Sequence, residues 1–285
     1  MTGPADVAWA AGLFEAEGCI FSQVISSGNR QRHLVLVSTD KDIVDRFGDV
    51  MDGSITARKV DGRYKPSYAW SMNHWTGQQA VLEAMTPYFG RRRQAAAQAF
   101  LSTPPKFVRR HDAPVLPESN ADDPVNRLAW AAGVIEGEGC VANYRRGSGT
   151  GRSRWLTVTM TDEDVIDRLH MMFGVGVRYT RASQNPAWAT QYEWRVNQWT
   201  ELCSILEQVL PLLGDRRSAA VRTLFETPAG AWTRPLLSHC KRGHVLRGPG
   251  ADVWIGKTGS PICRPCRRDR DAASRLASAS TKDNI

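Results

Sequence analysis

No stretch of the chain stays apolar for 18 residues, about the length a helix needs to cross a bilayer, so a membrane-spanning helix is excluded. The opening MTGPADVAW has no basic head followed by an apolar core. That is not the pattern of a secretory signal, and a cytoplasmic location is expected. Cysteine is scarce in the body of the chain. Of six, Cys240, Cys263 and Cys266 crowd near the C-terminus, whereas Cys19, Cys140 and Cys203 are scattered through apolar-looking segments. This distribution excludes a disulfide framework and fits a local metal site plus buried thiols. Acids are outnumbered, 29 Asp and Glu against 37 Lys and Arg, for a formal net charge of +8. A basic balance attracts polyanions, which leaves DNA, RNA and anionic membranes as compatible partners. With 285 residues and 42% hydrophobic content, the chain can bury a core in one large domain or a few small ones.

The chain repeats itself. WAAGLFEAEGCI from Trp9 matches WAAGVIEGEGCV from Trp130 at eight of twelve positions, with an offset of 121. TDKDIVDRF from Thr39 matches TDEDVIDRL from Thr161, offset 122. WSMNHW from Trp70 matches WRVNQW from Trp194, and TPYFGRRRQAA from Thr86 matches LPLLGDRRSAA from Leu210, both offset 124. Four collinear matches define a duplicated unit. The first copy occupies 1–102 and the second 123–227; a proline- and charge-rich linker, 103–122, separates them, and a small element follows over 232–275.

Within each copy the pattern reads αββαββα. Asp123 and Pro124 form an N-cap followed by proline at the first helical position, with Gly3 and Pro4 in the same role earlier. Gly18 and Gly139 stop these helices as C′ glycines. Alternating segments predict strands at 19–25, 33–38, 54–58 and 68–73, and at 140–144, 155–160, 177–180 and 192–197. Helices are expected to begin near Asp40 and Asp162, and one closing helix per copy to cover 76–100 and 200–225. Trp70, Trp75, Trp194 and Trp199 recur as pairs, which points to core packing.

Ala8, Gly12 and Ala16 lie four apart on one helix face, as do Ala129, Gly133 and Gly137. A face so poor in side chains lets another backbone approach closely, and the matching face of the other copy is the simplest partner. Glu17 and Glu138 then end the two helices side by side. A carboxylate at a helix C-terminus meets the unfavourable end of the dipole, and two together repel. A divalent cation between them resolves both conflicts, and a hard cation such as Mg²⁺ suits oxygen ligands. Glu15 and Glu136, two positions back, face elsewhere and are expected to make structural bonds. No Ser–His or Cys–His arrangement recurs in the two copies, and Cys19 and Cys140 are expected to be core thiols.

AAGLFEAEG at 10–18 and AAGVIEGEG at 131–139 resemble the LAGLIDADG motif of homing endonucleases, and the duplication resembles the members that carry both halves in one chain. The resemblance implies an α/β (α+β) fold in which two pseudo-twofold-related αββαββα halves form a saddle over double-stranded DNA. It implies a monomer that makes a double-strand break in a long pseudo-palindromic site and leaves 3′ overhangs. Its metal-binding acids correspond to Glu17 and Glu138, glutamates where aspartate is commoner. The basic residues it places beside each active site correspond to Arg92 and Arg216, where lysine is commoner. Proteins of this kind also bind nucleic acid without cutting it, as intron-splicing cofactors; the acid retained in both copies favours cleavage.

Polar and basic residues in or beside the hairpins are the candidates for contacting DNA: Gln23, Arg30, Arg32, Arg58, Lys59, Arg63 and Lys65 in the first copy, and Arg145, Arg146, Arg152, Arg154, Arg178 and Arg181 in the second. Arginine reads guanine bidentately or holds phosphate. The tail adds Cys240, His244, Cys263 and Cys266, spaced Cys-x₃-His-x₁₈-Cys-x₂-Cys. Thiolates and an imidazole suit tetrahedral Zn²⁺, and so short and apolar-poor a segment needs metal as its folding energy. It resembles the treble-clef-like zinc modules appended to mobile-element nucleases, and its basic residues would hold backbone phosphates.

Overall fold

The computed structural model describes residues 2–26, 30–58, 65–108, 111–145, 152–183, 185, 187–227, 239–240, 242–246, 250–255 and 261–280. Chain contacts divide it into two units, one holding both repeats and one holding the segment from Ala229 onward.

In the first repeat the order is α1 (Pro4–Glu17), β1 (Gly18–Val24), β2 (Arg30–Ser38), α2 (Lys41–Met51), β3 (Ser54–Arg58), β4 (Ser67–Met72), α3 (Trp75–Met85) and α4 (Arg91–Leu101). The second repeat runs α5 (Pro124–Glu138), β5 (Gly139–Arg145), β6 (Arg152–Met160), α6 (Glu163–Phe173), β7 (Val177–Arg181), β8 (Gln191–Val196), α7 (Trp199–Val209) and α8 (Asp215–Glu226). Both sheets are antiparallel with equivalent orders, β1-β2-β4-β3 and β5-β6-β8-β7.

Two expectations need correction. The single closing helix of each repeat is two helices, separated by a 3₁₀ turn at Thr86–Tyr88 or Leu210–Leu212 and then by Gly90 or Gly214. Pro87 and Pro211 remove the amide that a continuous helix would bond. Gly18 and Gly139 do end α1 and α5, but with extended backbone, φ −79° and −74°, not in the left-handed region. Glycine is required there for space: a β-carbon on Gly18 would lie 2.5 Å from the Phe14 carbonyl oxygen, and one on Gly139 would overlap that of Ile135.

Alternation along the strands sets the core. Leu34 and Leu36 of β2 with Trp70 and Met72 of β4 point toward the helices, as do Leu156, Val158, Trp194 and Val196 in the second sheet, and all are fully or nearly fully buried. Phe47 packs edge-on against Trp70 with ring centroids 4.7 Å apart, and Phe173 stacks on Trp194 at 5.3 Å. Burying each such ring stabilises by roughly 1.5–3 kcal/mol. Trp75 and Trp199 are only partly covered, Trp199 being 39% exposed. The middle stretches of α1 and α5 have no solvent face: every residue from Val7 to Glu15 is buried, as is every residue from Ala129 to Glu136. Helices that are apolar all round belong at the centre of the unit.

Candidate active site

The two central helices cross through their small-residue stripes. A β-carbon on Gly12 would overlap the carbonyl oxygen of Trp130, and one on Gly133 would overlap that of Trp9 and come within 2.7 Å of the Leu13 nitrogen. The contact is reciprocal, as a pseudo-twofold axis requires. Three further pairs repeat across it. Arg46 donates to the Leu212 carbonyl at 2.8 Å, and Arg168 to that of Tyr88 at 2.7 Å. The backbone amide of Arg91 donates to Asp164 and that of Asp215 to Asp42, each at 2.7 Å. Arg92 clasps Asp162 and Arg216 clasps Asp40.

This crossing carries Glu17 and Glu138 to the same end of the unit; a β-carbon on Gly137 would sit 3.1 Å from the Glu17 side chain. Burial raises the carboxyl pKa of both. At Glu138 the charge of Glu17 raises it further, with Arg217 opposing; at Glu17, Arg217 and Arg216 oppose the rise while Asp40 adds to it. Two carboxylates that are exposed at the end of the unit and yet resist ionisation fit a cation between them, which would neutralise both.

On either side of the pair opens a cleft, of about 280 Å³ at Glu17 and about 250 Å³ at Glu138. Glu17 shares its cleft with Ser38, Thr39, Asp40, Ser67 and Arg216, and Glu138 shares the other with Thr159, Thr161, Asp162, Gln191 and Arg92. Each cleft is composite, since the arginine comes from the opposite repeat. Arg92 donates to Asp162 through Nε and Nη2, both at 2.7 Å, and Arg216 donates Nε to Asp40 at 2.6 Å. The hydrogen bonds that Arg92 donates to Asp162 raise its pKa, so its charge is held. Asp40 and Asp162 were missed as site residues. Their signal was present in the recurring TDKD and TDED, which announce a helix start but not a partner 70 or more residues away.

Glu15 and Glu136 build the frame beneath. Glu15 accepts from the Gly90 amide at 2.8 Å and from Arg93 Nε at 3.2 Å, while Arg93 also donates to the carbonyls of Glu15 and Gly18. Glu136 accepts from the Gly214 amide and from Arg217, which reaches the carbonyls of Glu136 and Gly139. Burial raises the Glu15 pKa against the opposing charge of Arg93, and lowers that of Arg217 against Glu136. These buried pairs tie the N-termini of α4 and α8 to the ends of α1 and α5, and so fix where Arg92 and Arg216 emerge.

The candidate DNA contacts divide by strand register. Facing away from the helices, the first sheet presents Phe21, Gln23, His33, Ser71, Thr56 and Arg58, and the second Trp155, Thr157, Tyr179, Arg181, Gln191 and Arg195. Gln23, Arg58 and Arg181 therefore lie on the open faces, and Lys65 is exposed beside β4. Arg30, Arg32, Arg152, Arg154 and Arg178 lie on the helix side instead, one residue out of phase. Arg32 donates to the Phe100 carbonyl and Thr103 and sits 5.2 Å over Trp75; Arg154 reaches the Thr227 carbonyl and sits 4.5 Å over Trp199. Arg30 bonds Ser22, Arg152 bonds Asn143, and Arg178 pairs with Glu163 and Asp167. Lys59, Arg63 and Arg146 lie outside the described residues; of Arg145 the backbone is described, paired with Arg152. Arg195, unforeseen, lies 5.6 Å over Trp155 and shares Glu193 with Arg181. Cys19 and Cys140 are a correction: they begin edge strands on the open faces and are exposed, not buried in the core.

In the C-terminal unit, a turn through Gly243 brings Cys240 and His244 together, with the Gly243 amide bonded to the Cys240 carbonyl at 2.9 Å. Strands β9 (Val253–Ile255) and β10 (Pro261–Cys263) pair and lead into α9 (Arg264–Ser280), which carries Cys266 in its first turn. His244 Nδ1 lies 3.3 Å from Cys240 Sγ, 3.5 Å from Cys263 Sγ and 3.3 Å from Cys266 Sγ, and the Cys240 and Cys266 sulfurs are 3.6 Å apart. All four ligand atoms lie within 4.8 Å of one another. Tetrahedral zinc with bonds of about 2.3 Å to sulfur and about 2.0 Å to nitrogen separates its ligand atoms by roughly 3.5–3.8 Å, so the set fits that ion. Burial raises both end thiols, but the Arg242 backbone N–H, with other hydrogen bonds, brings Cys240 down to about 6, while burial and the facing thiols push Cys266 up to about 11.

Two repeats of mixed α and β structure with antiparallel sheets match the fold of the LAGLIDADG homing endonucleases. The chain superposes on the homing endonuclease I-GzeII in complex with its DNA target with a TM-score of 0.54, at 11% identity over 78% of this chain and 88% of that one. It superposes on I-LtrWI bound to target DNA at 0.53, with 14% identity over 79% and 91%. The meganuclease I-AabMI bound to uncleaved DNA gives 0.55, with 15% identity over 76% and 88%. At these identities the likeness is one of fold. No protein-family model and no curated protein matches the sequence.

Proposed function

We propose that the protein is a site-specific DNA endonuclease that makes a metal-dependent double-strand break in a long pseudo-palindromic site, acting as a monomer and leaving 3′ overhangs. The observation that carries this reading is the pair of like clefts, each with a glutamate from one repeat and an arginine from the other, one for each strand of a duplex. Glu17 and Glu138 would hold Mg²⁺, which when bound supplies charge neutralisation at phosphorus and a more acidic water. The chain does the rest. Arg216 and Arg92 offer planar forks to the phosphate oxygens. Asp40 at the start of α2 and Arg216 near the start of α8 line one cleft, and Asp162 at the start of α6 and Arg92 near the start of α4 line the other. Gln23, Arg58, Lys65, Arg181 and Arg195 are proposed to contact DNA from or beside the open sheet faces. The Cys₃His cluster is proposed to hold one structural Zn²⁺.

Selection from a randomised duplex pool in the presence of Mg²⁺, with both strand ends sequenced, tests the reading. One long sequence cut on both strands, with no products when Mg²⁺ is withheld, is expected. Enrichment of bound duplexes that remain uncut with Mg²⁺ or Mn²⁺ would leave a binding protein instead.

A further inference from the structure

Asp40 and Asp162 occupy the N-cap positions of α2 and α6, where an aspartate ordinarily accepts the first free helix amides. Neither does so. Forgoing a cap costs about 1 kcal/mol, and both repeats forgo it in the same way. Asp162 is 7% exposed, and both its oxygens are taken by Arg92 of the other repeat; Asp40 takes Arg216. The first-turn neighbours Asp42 and Asp164 do act as caps, but for the opposite repeat, through the amides of Asp215 and Arg91. The start of each arginine helix is thus anchored by one aspartate and its arginine oriented by another.

The described bonds of Arg92 use the Nε and Nη2 edge of the guanidinium. The remaining edge belongs to a side chain 61% exposed at the cleft that holds Glu138, and Arg216, 58% exposed, stands likewise beside Glu17. We propose that Asp40 and Asp162 are positioning residues for strand cleavage: each grips the inner edge of an arginine from the other repeat and presents its outer edge to the scissile phosphate. The inference rests on the endonuclease reading for its chemistry. It adds that each strand's cut depends on one aspartate alone, and that this dependence crosses the repeats.

Asp162→Asn keeps a hydrogen-bond acceptor but removes the charge that orients Arg92. A misdirected group costs on the order of 10²-fold in rate. A negative charge near the duplex is lost as well, so KM for the duplex holds or falls while kcat falls. On a duplex labelled separately on each strand, Asp162→Asn is expected to slow one strand about 10- to 100-fold and accumulate nicked product, with Asp40→Asn slowing the opposite strand. Asp162→Glu, which restores the charge, should recover part of the lost rate. Equal slowing of both strands together with a lower melting temperature would make the pair a structural staple and overturn the proposal, as would unchanged rates on both strands. If the parent protein binds its selected duplex but does not cut it, the endonuclease reading fails, and the positioning role is decided by affinity. Arg92→Gln must then weaken binding more in the parent than in Asp162→Asn; equal losses in the two backgrounds would overturn it.

Discussion

A β-carbon on Gly12 would overlap the carbonyl oxygen of Trp130 and come within 3.0 Å of the Val134 nitrogen. No side-chain torsion relieves this clash, because both obstacles are backbone. Gly12→Ala therefore forces the central helices apart. It should destabilise the repeat unit by about 1–3 kcal/mol or more, read as a lower midpoint in denaturant. A β-carbon on Gly174 would meet nothing within 4 Å, so Gly174→Ala serves as a control for glycine loss as such, with backbone strain but no overlap.

Breaking one of the buried pairs below the clefts should be costlier. Arg93→Met leaves the Glu15 carboxylate without its cation in a site that already resists ionisation. The expected loss is about 3–5 kcal/mol, and thermal unfolding measures it. Part of the loss should disappear in the double variant Arg93→Met/Glu15→Gln, since the unpaired charge is then absent.

The glutamate pair makes stability depend on pH in a stated direction. Folding raises both carboxyl pKa values above the ordinary 4.5, so between that value and the folded one the native state holds protons that the unfolded chain releases. The resulting stabilisation is complete below about 4.5 and lost as pH rises through the folded value. Without divalent cation at pH 7, Glu17→Gln and Glu138→Gln should each melt above the parent, and the gap should close in acid. Mg²⁺ should raise the melting temperature of the parent more than that of either variant. Equal melting of all three proteins at both pH values would contradict this.

The C-terminal cluster predicts one zinc per chain in protein purified without chelator, measured by elemental analysis. Cys266→Ser should lose it, because the remaining three ligands no longer close a tetrahedron. If metal binding is its folding energy, as proposed, chelation should render the C-terminal unit sensitive to protease. Zinc-free protein with a protease-resistant tail would refute the assignment.

Much of this arrangement was legible from residues alone. The Ala8–Gly12–Ala16 and Ala129–Gly133–Gly137 stripes foretold the helix crossing, because a surface without side chains has meaning only against another backbone. The strands were placed to within a residue or two, apart from the first three residues of Arg30–Ser38 and of Arg152–Met160, where alternation fades into the hairpins. Facing was harder. Arg32 and Arg154 read as surface cations, yet strand period two places them with Leu34 and Leu156 on the helix side; an error of one residue reverses a face. Cys19 and Cys140 failed for the same reason. The break in the closing helices was marked by Pro87 and Pro211, but helical periodicity carries through both. The clasp of Arg92 on Asp162 joins the two repeats through residues 70 apart in sequence, and no local pattern encodes it.

The central claim is that Glu17 and Glu138 serve metal-dependent cleavage, not DNA recognition. The most direct measurement compares Glu138→Gln with the parent on the selected duplex, recording affinity and Mg²⁺-dependent cutting in the same samples. The account predicts affinity within a few-fold of the parent and strongly suppressed cleavage, because the lost carboxylate holds the cation and touches no base. Cleavage at the parent's rate with Mg²⁺ present would contradict it.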